Sequence, residues 1–260
     1  MGQGYGFDAK QYRDWSRMQK EWGAKLISSM RLEGGEAVLD IGCGDGLLTA
    51  QIAALLPRGR AVGIDASSNM IGLAKSLETE NLEFRVMDVM SMPFRAEFDV
   101  AFSNAALHWV TDHRAMLARV REALRVDGRI RFNFAGDGNC SNLFRVEREE
   151  MASKEFSRYF EDFAWPWFMP RPDEYRATLR ASHFADIEVE GQVADRLFTT
   201  EELVNWIEQP SIVPLLEHLK EPEVRKRFHD RVVARMVEET RQPDGLHFET
   251  FRRVDVRARR

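Results

Sequence analysis

Apolar and polar positions along the chain follow two periods in turn. From about Ala9 to Met30, Tyr12, Trp15, Met18, Trp22 and Leu26 recur every three or four residues, the stripe of an amphipathic helix before the first strand. Ala37-Val38-Leu39-Asp40-Ile41 is a short apolar run read as a buried strand, and it ends in Gly42-Cys43-Gly44-Asp45-Gly46. A helix is expected from Leu47 to Leu56, stopped by Pro57 and Gly59. A second strand, Arg60 to Ile64, leads into Asp65, and Ser67-Ser68-Asn69 then caps a helix running through Leu77. Leu82 to Met87 is a third strand, followed by Asp88. Phe98 to Ser103 is a fourth, Thr111 to Leu124 the helix after it, and Gly128 to Phe134 a fifth strand of period two. Ala185 to Glu190 and Phe248 to Val256 alternate in the same way.

Strands alternating with helices predict an α/β fold with a doubly wound, mostly parallel sheet, whose ligands gather at the carboxyl ends of the strands. One domain is expected over 1–260, with a core of about 31–138, 183–198 and 243–260 behind an N-terminal helix at 8–30. The rhythm breaks at about 139–182 and 199–242, expected to form a mostly helical lid over the substrate side. The helix from Glu221 to Arg241 carries a stripe of Val224, Phe228, Val232, Val233, Met236 and Val237, so its many charges are expected to form a solvated face.

The glycine triplet fixes where chemistry is expected. A loop that must adopt unusual dihedrals and let a ligand lie against bare backbone needs glycine. The spacing departs from the dinucleotide pattern, because the third glycine comes one position early and Leu47 stands where that pattern wants Gly or Ala. Acids also follow the first three strands: Asp40, Asp65 and Asp88. Carboxylates suit a ligand that brings cations and hydroxyls, not a pyrophosphate. S-adenosylmethionine brings an ammonium, a sulfonium, two ribose hydroxyls and an adenine amine.

Over about residues 10–135 these features resemble the class I, Rossmann-like S-adenosylmethionine-dependent methyltransferases. The resemblance implies a seven-stranded sheet with an antiparallel last strand, and S-adenosyl-L-homocysteine as the product. It implies that Asp40 lies near the methionine ammonium and that Gly42, Cys43, Gly44 and Gly46 pack on the cofactor. Asp65, with Ala66 beside it, is implied at the ribose, and Asp88 and Val89 at the adenine. Met70 near the adenine competes with an ordinary core role, and Asn104 at the cofactor competes with a turn.

Composition narrows the class further. A net charge of −5 opposes a general nucleic-acid binder. Cys43 and Cys140 make neither a metal spacing nor a disulfide framework, so no metal is expected, and a small residue in a tight loop explains Cys43 better than a catalytic thiol does. The first thirty residues hold Lys10, Arg13, Arg17, Lys20 and Lys25 without an apolar core, and no apolar run suits a membrane span. The expectation is a cytoplasmic monomer or homodimer acting on a small molecule, without nucleic-acid or membrane partners.

Two stretches point to the acceptor. Tyr12-Arg13-Asp14-Trp15-Ser16-Arg17-Met18-Gln19-Lys20 and Ser103-Asn104-Ala105-Ala106-Leu107-His108-Trp109-Val110 resemble the juvenile hormone acid methyltransferases, and the second also the trans-aconitate methyltransferases. Both groups methylate a carboxylate oxygen. In the former, the positions of Gln19 and Trp109 hold the substrate carboxylate, and an amide N–H and an indole N–H are uncharged donors able to do so. Tyr12, Trp15, His108 and Trp167 join them as candidate acceptor-side residues. A carboxylate is ionised at neutral pH, so no general base is needed; His108 is the candidate base if the acceptor is instead a hydroxyl, amine or carbon. Arg145 and Arg171 are candidates for a second carboxylate of a polyacid, or plain surface arginines. A third alternative is a cofactor-binding protein without turnover.

Overall fold

The computed structural model describes residues 17–208 and 211–260, with side chains from residue 22 onward. Tyr12 and Trp15 therefore lie outside the described residues. Gln19 lies in helix α1 (Arg17–Ser28), its side chain outside them.

A seven-stranded sheet forms the centre, built from β1 (Ala37–Ile41), β2 (Arg60–Asp65), β3 (Leu82–Val86), β4 (Phe98–Asn104), β5 (Leu124–Ala135), β6 (Ala185–Val193) and β9 (Arg252–Arg259). Its order is β3-β2-β1-β4-β5-β9-β6, and β9 runs antiparallel to both of its neighbours. Helices cover both faces at its middle, which is why β1, β2 and β4 are buried and mainly apolar, whereas β6 is largely exposed. On one face, α1, α2 (Leu47–Ala54) and α3 (Ser68–Ala74) bury Leu26, Ile52 and Ile71 with Val38, Val100 and Phe102. On the other, α4 (His113–Ala123) and α6 (Pro172–Ala181) bury Met116, Val120, Tyr175 and Leu179 with Leu39, Ala101 and Phe132.

The strand order turns at β1, with β2 on one side and β4 on the other. At such a switch point the adjoining connections leave in opposite directions and open a crevice at the strands' carboxyl ends. A second helical group, the cap, is made of α5 (Ser141–Met151), α7 (Thr200–Ile207), α8 (Val213–His218) and α9 (Pro222–Glu239) around their own apolar cluster, against which Trp22 and Trp109 pack.

The structure differs from the pattern in three places. The alternating run Phe248 to Val256 is interrupted: β8 (His247–Glu249) pairs with β7 (Arg196–Phe198) in a separate two-stranded sheet, and only β9 joins the main one. Helix α6, inside the segment expected as lid, packs on the central sheet, because Tyr175 and Leu179 four residues apart give it an apolar stripe that β6 and β5 cover. The charges of α9 are not all solvated: Arg231 and Arg235 reach Glu150 of α5 at 2.9 and 3.0 Å, and the Glu150 side chain is only 3% exposed.

Candidate active site

The loop after β1 is shaped by its glycines. Gly42, Gly44 and Gly46 have φ of 73°, 55° and 80°, in the left-handed region. A Cβ on Gly42 would stand 2.2 Å from Ala106 Cβ, and one on Gly46 2.6 Å from the Phe84 ring. Gly44 is different, since a Cβ there would meet no atom within 4 Å among the described residues. Two glycines are required by the protein's own packing, and the third leaves an open stretch of backbone on which a ligand can lie.

Asp65 closes this loop from the tip of β2. Its Oδ2 accepts from the Gly44 N–H at 3.0 Å and its Oδ1 from the Ser67 N–H at 2.8 Å. Burial raises its pKa against the lowering pull of these two amides. Each carboxylate oxygen has a second lone pair, so the same group has acceptor capacity left for hydroxyls. Ala66 beside it is exposed.

Asp40 is 2% exposed and accepts from Thr49 Oγ1 at 2.6 Å. Burial pushes its carboxyl up to about 7; the Thr49 bond works against this and the charge of Asp65 adds to it. Such a group calls for a cation, which would return it to the charged form. Cys43 lies between these acids, and burial together with their charges raises its thiol pKa, so it is a packing residue and not a thiolate nucleophile.

β1, β2 and β3 are neighbours, with Asp40 opposite Gly63 and Asp65 opposite Val86, so Asp40, Asp65 and Asp88 mark consecutive strand tips. Asp88 caps the short turn Val89–Ser91, accepting from the Met90 N–H at 2.9 Å, and Val89 is buried. Met70 is buried one turn into α3, which Ser67 caps. Asn104 ends β4, and Ala105 beyond it has φ of 58°.

The turn after β4 meets an aromatic wall. The turn Leu107–Trp109 places His108 and Trp109 with ring centroids 5.7 Å apart. Trp109 meets Trp167 at 5.4 Å, and Trp167 stacks on Phe144 of α5 at 5.1 Å. The Phe168 N–H donates to the His108 carbonyl at 2.9 Å and ties this wall to the turn. The Nδ1 of His108 is buried with no hydrogen-bond partner among the described residues. Burial, with the charge of Arg253 and then His113, holds its pKa down to about 3. Arg145 and Arg171 stand outside this assembly: Arg145 pairs with Glu149 and Glu239, Arg171 with Asp173 and Glu174.

Two further residues enter the site that the pattern did not single out. His113 lies across the turn, its rings of contact including Phe168 at 4.4 Å, with Nε2 2.9 Å from the Leu107 carbonyl and Nδ1 3.0 Å from the Tyr175 hydroxyl. A carbonyl can only accept, so Nε2 carries the proton and the tyrosine donates to Nδ1. Arg253 of β9 is 6% exposed; it donates to the side chain of Asn133, to the Asn133 carbonyl at 3.0 Å and to Asn104 Oδ1 at 3.3 Å, and lies 4.4 Å over the Trp22 ring. The alternation Arg253-Val254-Asp255-Val256 was the available signal; its polar members face a buried side, where Asp255 pairs with Arg131 at 2.7 Å, instead of water.

Among the described residues no cluster suits a metal ion, and no helix is long and apolar enough to cross a membrane. A family profile described as a methyltransferase domain matches residues 38–128. An uncharacterized methyltransferase of Schizosaccharomyces pombe is 27% identical over 209 residues, covering 78% of this chain and 79% of the relative. A trans-aconitate 2-methyltransferase of Methylobacterium radiotolerans is 28% identical over 242 residues, covering 91% and 92%. The crystal structure of the YcgJ protein of Bacillus subtilis superposes with a TM-score of 0.65 at 17% identity, covering 93% of this chain and 98% of that one, a likeness of fold. With its glycine loop open at Gly44, acids at successive strand tips and one antiparallel strand in seven, the chain carries a Rossmann-like, S-adenosylmethionine-dependent methyltransferase domain at residues 38–128 and is related over most of its length to the trans-aconitate group.

Proposed function

We propose that the protein transfers the methyl group of S-adenosylmethionine to a carboxylate oxygen of a small organic acid, giving a methyl ester. The cofactor supplies a methyl group activated by its sulfonium. Asp40 takes the ammonium, Gly42, Cys43 and Gly44 the methionine-side backbone, and Asp65 with Ala66 the ribose hydroxyls. Met70, Asp88 and Val89 hold the adenine, and Asn104 faces the methionine end. Trp109, with Gln19, orients the acceptor carboxylate, and Tyr12, Trp15, His108 and Trp167 enclose it.

One observation carries the choice of acceptor atom: the Nδ1 of His108 is sealed from water near the cationic Arg253, and burial with that charge holds the imidazole pKa down to about 3. A base that weak takes a proton from a hydroxyl or an ammonium poorly, because the best general base has a pKa near the working pH. A carboxylate needs no deprotonation, so the chain's task reduces to alignment and exclusion of water. The relative named for trans-aconitate, the anion of an organic acid, supports the same choice. The partnerless Nδ1 of His108 favours a second reading, in which a hydroxyl or amine loses its proton to it.

The test is a screen of free acids with methyl-labelled cofactor, followed by Trp109→Phe. The expected result is a base-labile ester from at least one acid, with kcat for Trp109→Phe reduced about tenfold or more, as for loss of a hydrogen bond to a charged group, and cofactor affinity unchanged. A product stable to base, with a rate that climbs along a basic limb and vanishes in His108→Ala, would instead establish the second reading.

A further inference from the structure

Strand β9 bears a buried cation that the scheme above leaves unused. Arg253 stands opposite Ala135 of β5 and is 6% exposed. Asn133 beside it is fixed in orientation: its amide nitrogen donates to Gln192 Oε1 and to Asp255 Oδ2, both at 3.0 Å, which turns its side-chain oxygen toward Arg253 Nε. The Nη2 arm of the guanidinium donates to the Asn133 carbonyl at 3.0 Å and to Asn104 Oδ1 at 3.3 Å. One planar fork thus holds the ends of β4 and β5 together.

Those partners govern the turn after β4. The Asn133 carbonyl also accepts from the Ala105 N–H at 2.7 Å, and Ala105, with φ of 58°, is the left-handed residue at which the chain leaves β4 for Leu107–Trp109. The next residue, Ala106, is the one a Cβ on Gly42 would strike, so this bend lies directly against the glycine loop. The face of the same guanidinium lies 4.4 Å over the Trp22 ring, and Arg196 of β7 lies 5.3 Å from that ring. Trp22 belongs to α1, one turn after Gln19. The edges of Arg253 therefore hold the turn that carries Trp109, while its face holds the helix that carries Gln19.

We infer that Arg253 is a positioning residue for methyl transfer: its guanidinium ties the turn Leu107–Trp109 to helix α1, so that the two groups proposed to grip the acceptor carboxylate keep one spacing. The inference rests on the reading of Trp109 and Gln19 given above. These residues sit on separate elements, and near-attack geometry is sensitive to displacements of about 1 Å, so a rigid link between the elements bears directly on rate. Lysine would keep the charge but offer a point donor in place of a planar fork; a role of charge alone would survive Arg253→Lys, and the tie would not. The charge reaches the same turn, for after burial it is the largest influence holding down the pKa of His108.

The experiment uses the full chain and has two arms. In the first, amide hydrogen exchange is followed by mass spectrometry with S-adenosylhomocysteine bound. Arg253→Lys is expected to raise exchange about tenfold in both 17–28 and 105–110, leaving β2 and β3 unchanged. Trp22→Leu, which removes only the indole, should raise it in 17–28 and more weakly in 105–110. In the second arm kcat, KM and cofactor Kd are measured with labelled cofactor and free fatty and tricarboxylic acids as acceptor probes. Arg253→Lys should lower kcat about ten- to a hundredfold, with cofactor Kd within about threefold of wild type. In a Trp109→Phe background its further effect should shrink to less than about threefold, because the donor it places is already gone. Exchange that rises in one segment alone, or equally across the whole chain, overturns the inference. So does a lysine variant as active as wild type, or a double variant in which the two losses multiply. Coupled exchange without any ester would sink the carboxyl reading and leave this inference standing.

Discussion

Asp40 is the residue whose titration reports on the site. Its folded pKa of about 7 lies above the ordinary 3.8, so the folded state holds a proton that the unfolded chain has lost between those values. Stability from this group is full below about pH 4 and is lost as pH rises through 7. Asp40→Asn, which cannot ionise, should therefore gain on wild type as pH rises, by at most about 4 kcal/mol at the plateau, read by denaturant unfolding at pH 5 and pH 8. Cofactor binding should move the opposite way. A bound ammonium lowers the Asp40 pKa, so wild-type affinity should strengthen as pH rises toward 8, and Asp40→Asn should bind weakly with little pH dependence. A wild-type affinity that stays level from pH 6 to 8 in calorimetry would count against a carboxylate–ammonium contact. On the proposed role of Asp65 as the charged acceptor of two hydroxyls, Asp65→Ala is expected to weaken cofactor binding by about 2–4 kcal/mol, or some thirtyfold to a thousandfold in Kd.

At the scale of elements, two supports hold the site in place. The turn Leu107–Trp109 is braced by His113, which Tyr175 of α6 completes from the same face of the sheet. Tyr175→Phe leaves Nδ1 of His113 unmatched, and a loss of about 1–3 kcal/mol in folding stability is expected, with a fall in kcat larger than any change in cofactor Kd. The cap is tied by Glu150 between α5 and α9. Because its partners Arg231 and Arg235 remain partly exposed, at 48% and 26%, they regain water when the pair is broken. Glu150→Gln should accordingly cost only about 1–2 kcal/mol, visible as a lower melting temperature with the cofactor affinity of the core preserved. The strands and their helices were legible from period alone because each is specified by neighbours a few residues away. The division of Phe248 to Val256 into two strands was not, since the choice between the small sheet and the large one is made by the partners β7 and β5, far away in sequence.

For the molecule as a whole, a ligand that binds only the folded chain stabilises it by mass action. At a hundredfold excess of cofactor over Kd the gain is about 2.7 kcal/mol, roughly 5–10 °C in melting temperature for a chain of this size. Gly42→Ala should erase that shift, because its Cβ would collide with Ala106 at 2.2 Å in a backbone that has φ of 73°; a full shift in that variant would show that the loop does not shape the cofactor site. The sequence by itself determined the α/β alternation, the glycine loop and the acids at three strand ends, since these follow from local periodicity, turn chemistry and their order along the chain. Only the tertiary structure decided that Asp40 is buried deeply enough to hold a proton, that α6 belongs to the sheet, and that Arg253 turns inward. Whether a polar side chain in a strand or helix meets water or a neighbour depends on what covers that face, and here the covering elements lie far along the chain from the residues they enclose.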